Sequence, residues 1–145
     1  MYRFKLEALL NYRRHQEEAC QKELAQAQRR LTDKREKLER KKKEKQESLE
    51  KLQVKKKVST TVSDIMLYMN YIQQLSKDIE DQAMLVHKTA KLVDQKRHEL
   101  ISIMQKHKTL KNLKYKEQQA YQQKLMQDER KLMDEIASIR HARKM

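Results

Sequence analysis

The chain has no glycine, no proline and no tryptophan, and its 145 residues include one cysteine and one phenylalanine. Glycine-rich loops that cradle phosphates are therefore excluded, and with them the P-loop and dinucleotide-binding motifs. Glycine and proline also end helices and shape turns, so a chain with neither has few places to change direction. Cys20 has no second cysteine to pair with, which excludes an internal disulfide framework and suits a reducing compartment. No run comes near the ~20 consecutive apolar residues of a membrane span. The first residues lack the apolar core and small-residue cleavage site of a secretory signal, so a soluble cytoplasmic protein is expected.

What remains is a length of about one domain, built mainly from Lys, Glu, Gln, Arg, Leu, Met and Ala, all good helix formers. Charged residues make up 39% and hydrophobic ones 37%. Long helices and disordered chains share such a composition, so periodicity has to decide between them. The net charge of +14 favours an acidic partner: nucleic acid, an anionic membrane or an acidic protein surface.

The periodicity is helical. Ile65, Ile72, Ile79, Val86, Val93 and Leu100 fall at every seventh position, with His107 next. Between them lie Tyr68, Leu75, Gln82, Thr89, Lys96, Ile103 and Leu110. This is the seam of a coiled coil, weakened where Gln82, Thr89 and Lys96 replace apolar residues. The first half is looser. Leu24, Leu31 and Leu38 keep the spacing, with Cys20 and Ala27 between them, but Lys34, Lys41 and Lys45 occupy positions that favour Leu or Ile. Beyond Leu38 the next leucines are Leu49 and Leu52, a step that a four-residue stutter would produce.

One stretch, KKKVSTTVSDIM, interrupts the pattern. Val58, Ser59, Thr60, Thr61 and Val62 combine β-branching with side chains that prefer caps to helix interiors. Thr61 with Asp64 resembles a capping box, and Ser63 is an alternative cap. The expected fold is all-α, a single long antiparallel two-helix coiled-coil hairpin over residues 1–145. Helix 1 is expected at about 2–57, the turn at about 58–63 and helix 2 at about 64–143. Those arms measure about 80 Å and 120 Å at 1.5 Å per residue. Pairing outward from the turn brings residue 1 near residue 120, and the C-terminal part of helix 2 then projects beyond helix 1. Yet Tyr121, Leu125, Leu132, Ile136 and Ile139 still recur at helical spacing there.

Two surfaces therefore carry more apolar side chains than a two-helix seam requires. The first combines Phe4, Leu6, Leu9, Leu10 and Tyr12 with the projecting end of helix 2. Local packing of Leu6 and Leu10 against Leu113 and Tyr121 competes with a partner-binding end. The second follows the turn, where Met66, Met69 and Tyr71 flank the seam. They either close the turn against Val54, Val58 and Val62 or offer an adaptable contact to a partner.

No catalytic constellation is present, and an enzyme is not expected. His15, His87, His98, His107 and His141 gather no Cys or carboxylate cluster, so no metal and no cofactor is expected. Cys20 reads as a small seam residue. Between Arg29 and Lys57 there are 14 Lys or Arg against 6 Asp or Glu. Glu36, Glu39, Glu44, Glu47 and Glu50 interleave with them at helical spacing, which reads as a solvated face. No aromatic stacking residues and no nucleic-acid fold motif accompany the run, so an acidic protein surface stands next after a solvated face and nucleic acid is not expected. No small-molecule substrate is expected either.

Three stretches together resemble the FliJ family of bacterial flagella. YRFKLEALLNYRRHQEE is similar to that family's N-terminal pattern F-x-L-x-x-L-L-x-Y-R-x-x-x-E. SDIMLYMNYIQQLSKDIEDQ is similar to its post-turn pattern, and ERKLMDEIASIRHAR to its C-terminal one. The order and spacing agree across nearly the whole chain. The resemblance implies a soluble component of the flagellar type III protein export apparatus, similar in shape to the central stalk subunit of rotary ATPases. It implies a role in motility as a stalk and chaperone-escort protein, with the hexameric FliI-type export ATPase, the FlhA-type export gate and export chaperones as partners. Membrane association would come only through those partners, at the inner-membrane base of the flagellum.

Carried to this chain, Phe4, Leu6, Leu9, Leu10, Tyr12, Arg13, Glu135, Ile136 and Arg140 would serve the ATPase ring. Met66, Tyr68, Met69, Tyr71, Ile72, Leu75 and Ile79 would serve the export gate. The lysine content between Arg40 and Lys57 exceeds what the family pattern asks for. Two other readings stand beside this one: the equivalent stalk of a virulence type III secretion system, and a basic coiled coil that binds nucleic acid.

Overall fold

The structure, a computed structural model, describes residues 2–58 and 60–144. They form two α-helices and no strand: α1, Glu7–Lys57, has 51 residues and α2, Val62–Lys144, has 83. The chain is thus an all-α helical hairpin.

The helix boundaries differ from the sequence expectation at two places. Helix α1 starts at Glu7 rather than near residue 2. No Ser, Thr, Asp or Asn precedes Glu7 to cap it; instead its N–H donates to the Phe4 carbonyl at 3.2 Å, and the Leu10 N–H donates to that of Leu6 at 2.8 Å. Phe4 stays outside the helix and turns its ring inward, where it is buried. Glu7 places a carboxylate in the first turn, and Lys55, Lys56 and Lys57 occupy the last turn of α1, both complementing the helix dipole.

The second difference is the turn, which closes at Thr61 instead of 63. Asp64 donates its N–H to Thr61 Oγ1 at 3.3 Å, and the Ile65 N–H donates to the Thr61 carbonyl at 3.3 Å. Thr61 is therefore the cap, and Ser63 lies inside α2. Ser59, expected in the turn, lies outside the described residues.

The chain divides into two compact units, Ala19–Leu100 and Met1–Glu18 with Ile101–Met145. In the unit Ala19–Leu100 the segments of α1 and α2 run antiparallel. As the α1 partner moves from Glu44 to Lys34 to Cys20, the α2 partner moves from Tyr71 to Gln82 to Lys96. Ala27, Leu31 and Val93 form the buried cluster, with Leu24, Val86 and Ala90 packed against it. From Ile65 to Leu110, each α2 seam residue named from the spacing is buried or half-buried.

The stutter expected in α1 is absent. From Leu38 the seam continues through Lys41, Lys45, Ser48 and Leu52, and Leu49 lies half-buried at its edge. The seam follows the spacing rather than the leucines. Lys41 and Lys45 are half-buried, as befits stems that lie along apolar surface with their ammonium groups in water. Ser48 is small enough to be buried between them and Leu52.

Three polar seam residues find partners close at hand. Gln82 Nε2 donates to the Lys34 carbonyl at 3.0 Å, and Thr89 Oγ1 donates to the Leu85 carbonyl at 2.8 Å. Lys96 lies 3.1 Å from Glu23 and 3.6 Å from Glu99. Among the described residues no large side chain falls below 2% exposure. Two helices have no third layer to cover their seam, so every seam residue keeps an edge near water.

In the unit of Met1–Glu18 with Ile101–Met145, Leu10 is buried and Ile103 and Leu110 are half-buried. Lys114 Nζ lies 2.8 Å from Glu7. Tyr2 Oη donates to Glu117 at 3.1 Å, and its ring centroid lies 5.6 Å from that of Tyr121. The expected packing of Leu6 and Leu10 on Leu113 and Tyr121 is thus only partly realised. Leu6 and Leu113 remain on the surface, and Tyr2 meets Tyr121. Beyond Tyr121 every described residue is exposed.

Candidate partner-binding surfaces

The N-terminal residues separate by direction. Phe4 and Leu10 point inward and hold the end of the chain together, while Leu6, Leu9 and Tyr12 are exposed. The Arg13 guanidinium lies 5.8 Å from the centroid of the Tyr12 ring and donates from Nη1 to Gln16 Oε1 at 3.0 Å. That contact fixes a planar cation beside an exposed aromatic. The Tyr2 phenol is raised above its ordinary value of 10.0, first by desolvation and then by its bond to Glu117.

Glu135, Ile136 and Arg140 are exposed on α2, but they do not join the N-terminal cluster. Tyr2 pairs with Tyr121, and Glu135 lies roughly 20 Å farther along the helix at 1.5 Å per residue. Ile136 and Arg140 instead share a shallow groove with Met133, Ala137, His141 and Lys144. The apolar surface there is larger than the heptad spacing suggested, because Met126 and Met133 are exposed beside Leu125, Leu132, Ile136 and Ile139. The signal for the two methionines was present in the sequence as apolar residues next to, and not on, the seam.

The turn surface belongs to the unit Ala19–Leu100. Met66, Met69 and Tyr71 are exposed, Tyr68, Ile72 and Ile79 are half-buried, and Leu75 is buried at 6%. Leu75 therefore sets the spacing of the helices and offers no surface. The turn is not closed by its valines: Val54, Val58 and Val62 are themselves exposed. Leu67, at 67% exposure, is a further apolar residue that the seam pattern did not single out.

Behind the turn, Tyr71 Oη donates to Glu44, a bond that raises the phenol above 10.0. Lys55 Nζ lies 4.3 Å from the Tyr68 ring centroid. A shallow groove is lined here by Glu44, Glu47, Ser48, Lys51, Leu67, Tyr68 and Tyr71. It opens where the buried Ser48 is too short to reach across the seam.

These surfaces offer exposed apolar side chains and charge to a partner. Cys20 is buried near the Lys96 carbonyl, and its thiol is raised above 9.0 by burial and then by Glu99 and Glu23. Lys96 is raised above 10.5, first by its hydrogen bond to Glu23. Among the described residues no group of three or more His, Cys, Asp or Glu could hold a metal ion. No described helix is long and apolar enough to cross a membrane.

No curated protein matches the chain, and no solved structure matches it. The family described as Flagellar FliJ protein matches residues 2–145. With two surfaces suited to protein contact on an all-α hairpin, and with that match over essentially the whole length, the chain belongs to the FliJ family of flagellar, type III export-associated proteins.

Proposed function

We propose that this protein is a stalk of the flagellar export apparatus, coupling a FliI-type ATPase hexamer to an FlhA-type export gate. Chief support comes from α2 beyond Tyr121, a stretch whose described residues are all exposed and along which Leu125, Leu132, Ile136 and Ile139 recur. Such a stripe needs a partner to cover it. In this reading the ATPase ring receives Leu6, Leu9, Tyr12 and Arg13 together with Glu135, Ile136 and Arg140. Phe4 and Leu10 hold that end in shape from within.

The turn, through Met66, Tyr68, Met69 and Tyr71, meets the gate, while Ile72, Leu75 and Ile79 support it. Export chaperones share these contacts during escort. The protein acts in the cytoplasm at the inner-membrane base of the flagellum. Its mechanism is differential binding: a stalk that fits one arrangement of ring subunits better than another shifts the ring toward it.

The test is ATP hydrolysis by the purified FliI-type ATPase with this protein titrated in. Stimulation should saturate, and should be lost in a Leu132→Asp, Ile136→Asp variant whose helix content is unchanged. Full stimulation by that variant would refute the ring contact.

A further inference from the structure

Between Lys51 and Lys77 the chain carries five lysines and one acidic residue, Asp64. The stalk reading makes no use of this charge. Lys51, Lys55, Lys56 and Lys57 are all exposed, and among the described residues none makes an ion pair within 4.0 Å. The same stretch of the chain carries the exposed Val54, Val58, Val62, Met66, Leu67 and Met69. Lys55 Nζ lies 4.3 Å from the Tyr68 ring centroid, and Lys51 shares a groove with Leu67. Charge and apolar surface thus share one end of the unit Ala19–Leu100, while Glu44 and Glu47 lie with Lys51, Leu67, Tyr68 and Tyr71 along the groove behind it.

We propose that this turn docks on the surface of an anionic phospholipid bilayer. The valines, methionines and Leu67 enter the boundary between headgroups and acyl chains, and the four lysines meet lipid phosphates. An apolar patch framed by basic residues is the pattern that holds peripheral segments to membranes. Tyrosine suits the wet edge of that boundary, where one end of the ring is apolar and the other polar.

The side chains favour lipid over an acidic protein. Arginine is enriched and lysine depleted where proteins meet, yet no arginine occurs between Arg40 and Arg97. Lysine is a point charge on a flexible stem, suited to mobile headgroups and not to bidentate recognition. Nucleic acid would use the lysines and leave the exposed Val54, Val58, Val62 and Leu67 without a role. The dock shares Met66 and Met69 with the proposed gate contact, but vesicles hold no gate protein, so the experiment tests the dock alone.

The experiment uses the full chain and sedimentation with vesicles of equal parts phosphatidylglycerol and phosphatidylcholine, against phosphatidylcholine alone. Binding should require the anionic lipid and weaken with salt. A Lys51, Lys55, Lys56, Lys57→Gln variant should lose affinity about fivefold per lysine, roughly six hundredfold in all. A control variant, Lys116, Lys124, Lys131, Lys144→Gln, removes equal charge and should lose less than about tenfold.

Because the chain has no tryptophan, Leu67→Trp supplies a single reporter, whose emission should shift to the blue on anionic vesicles and be quenched by brominated lipid. No binding to anionic vesicles would overturn the proposal. So would equal losses in the two lysine variants, which would mean net charge alone. Binding without an emission shift, displaced by polyglutamate or by RNA, would also overturn it and assign the lysines to an acidic protein or a nucleic acid.

Discussion

His107 continues the sevenfold seam of α2, and it is the place where a polar group stands in an apolar row. Its Nδ1 donates to Glu17, while its Nε2 is buried with no partner among the described residues. The two side chains keep only 10% and 17% exposure. Replacing both with leucine removes an orphaned nitrogen and a half-satisfied pair. Two leucines at these depths contribute roughly 3 to 4 kcal/mol. Loss of the charge-assisted bond removes about 1.5 to 3 kcal/mol. With the orphaned nitrogen also gone, the double variant should be more stable by about 2 kcal/mol.

The single variants should behave differently. His107→Leu strands the carboxylate, and Glu17→Leu strands the ring; each desolvation penalty of about 1 to 3 kcal/mol offsets the leucine gain. Urea unfolding followed by far-ultraviolet circular dichroism reads all four proteins. The double variant's midpoint should rise by about 1 M, with both single variants within about half that of the parent. A double variant less stable than the parent by about 1 kcal/mol or more would refute the reasoning. It would show that the polar pair holds the helices in register.

Other outcomes follow from the same structure. Thr61→Ala removes the cap of α2 and should cost about 1 kcal/mol in urea unfolding, whereas Thr61→Ser should stay near the parent. Phe4→Ala should lower hydrogen-exchange protection of the first turns of α1 by about 3 kcal/mol. Deletion of residues 122–145 removes only side chains that, where described, are exposed, and should move the unfolding free energy by less than about 0.5 kcal/mol. The Cys20 thiol, held above 9.0 by burial, should react slowly with disulfide reagents near pH 8 until urea is added. Since folding favours its protonated form, its contribution to stability is complete below pH 9.0 and falls as pH rises through that value toward the folded pKa. Rapid labelling of the folded protein would contradict the burial.

Much of the fold was legible because helix formation and heptad spacing are local. With no glycine or proline to interrupt them, residues from Ile65 to Leu110 showed which α2 side chains turn inward. Thr61 declared its cap through its side chain and the Asp64 that follows. Met66, Met69 and Tyr71 were exposed as their offset from the seam required.

The surfaces were legible only in outline. Phe4, Leu10 and Leu75 match the family motifs, but a motif does not say which of its residues face inward. In α1 the leucines suggested a path through Leu49, while the structure follows Ser48 and Leu52. A serine or lysine in a seam gives no hydropathy signal, and its place is set by the side chains opposite it. The sequence by itself therefore determined the two helices, their turn and the spacing of the seam. Only tertiary structure decided that Tyr2 meets Tyr121, that Glu17 meets His107 and that the valines of the turn stay in water. Those outcomes depend on the register between segments far apart in the chain, and register is a property of the pair of helices.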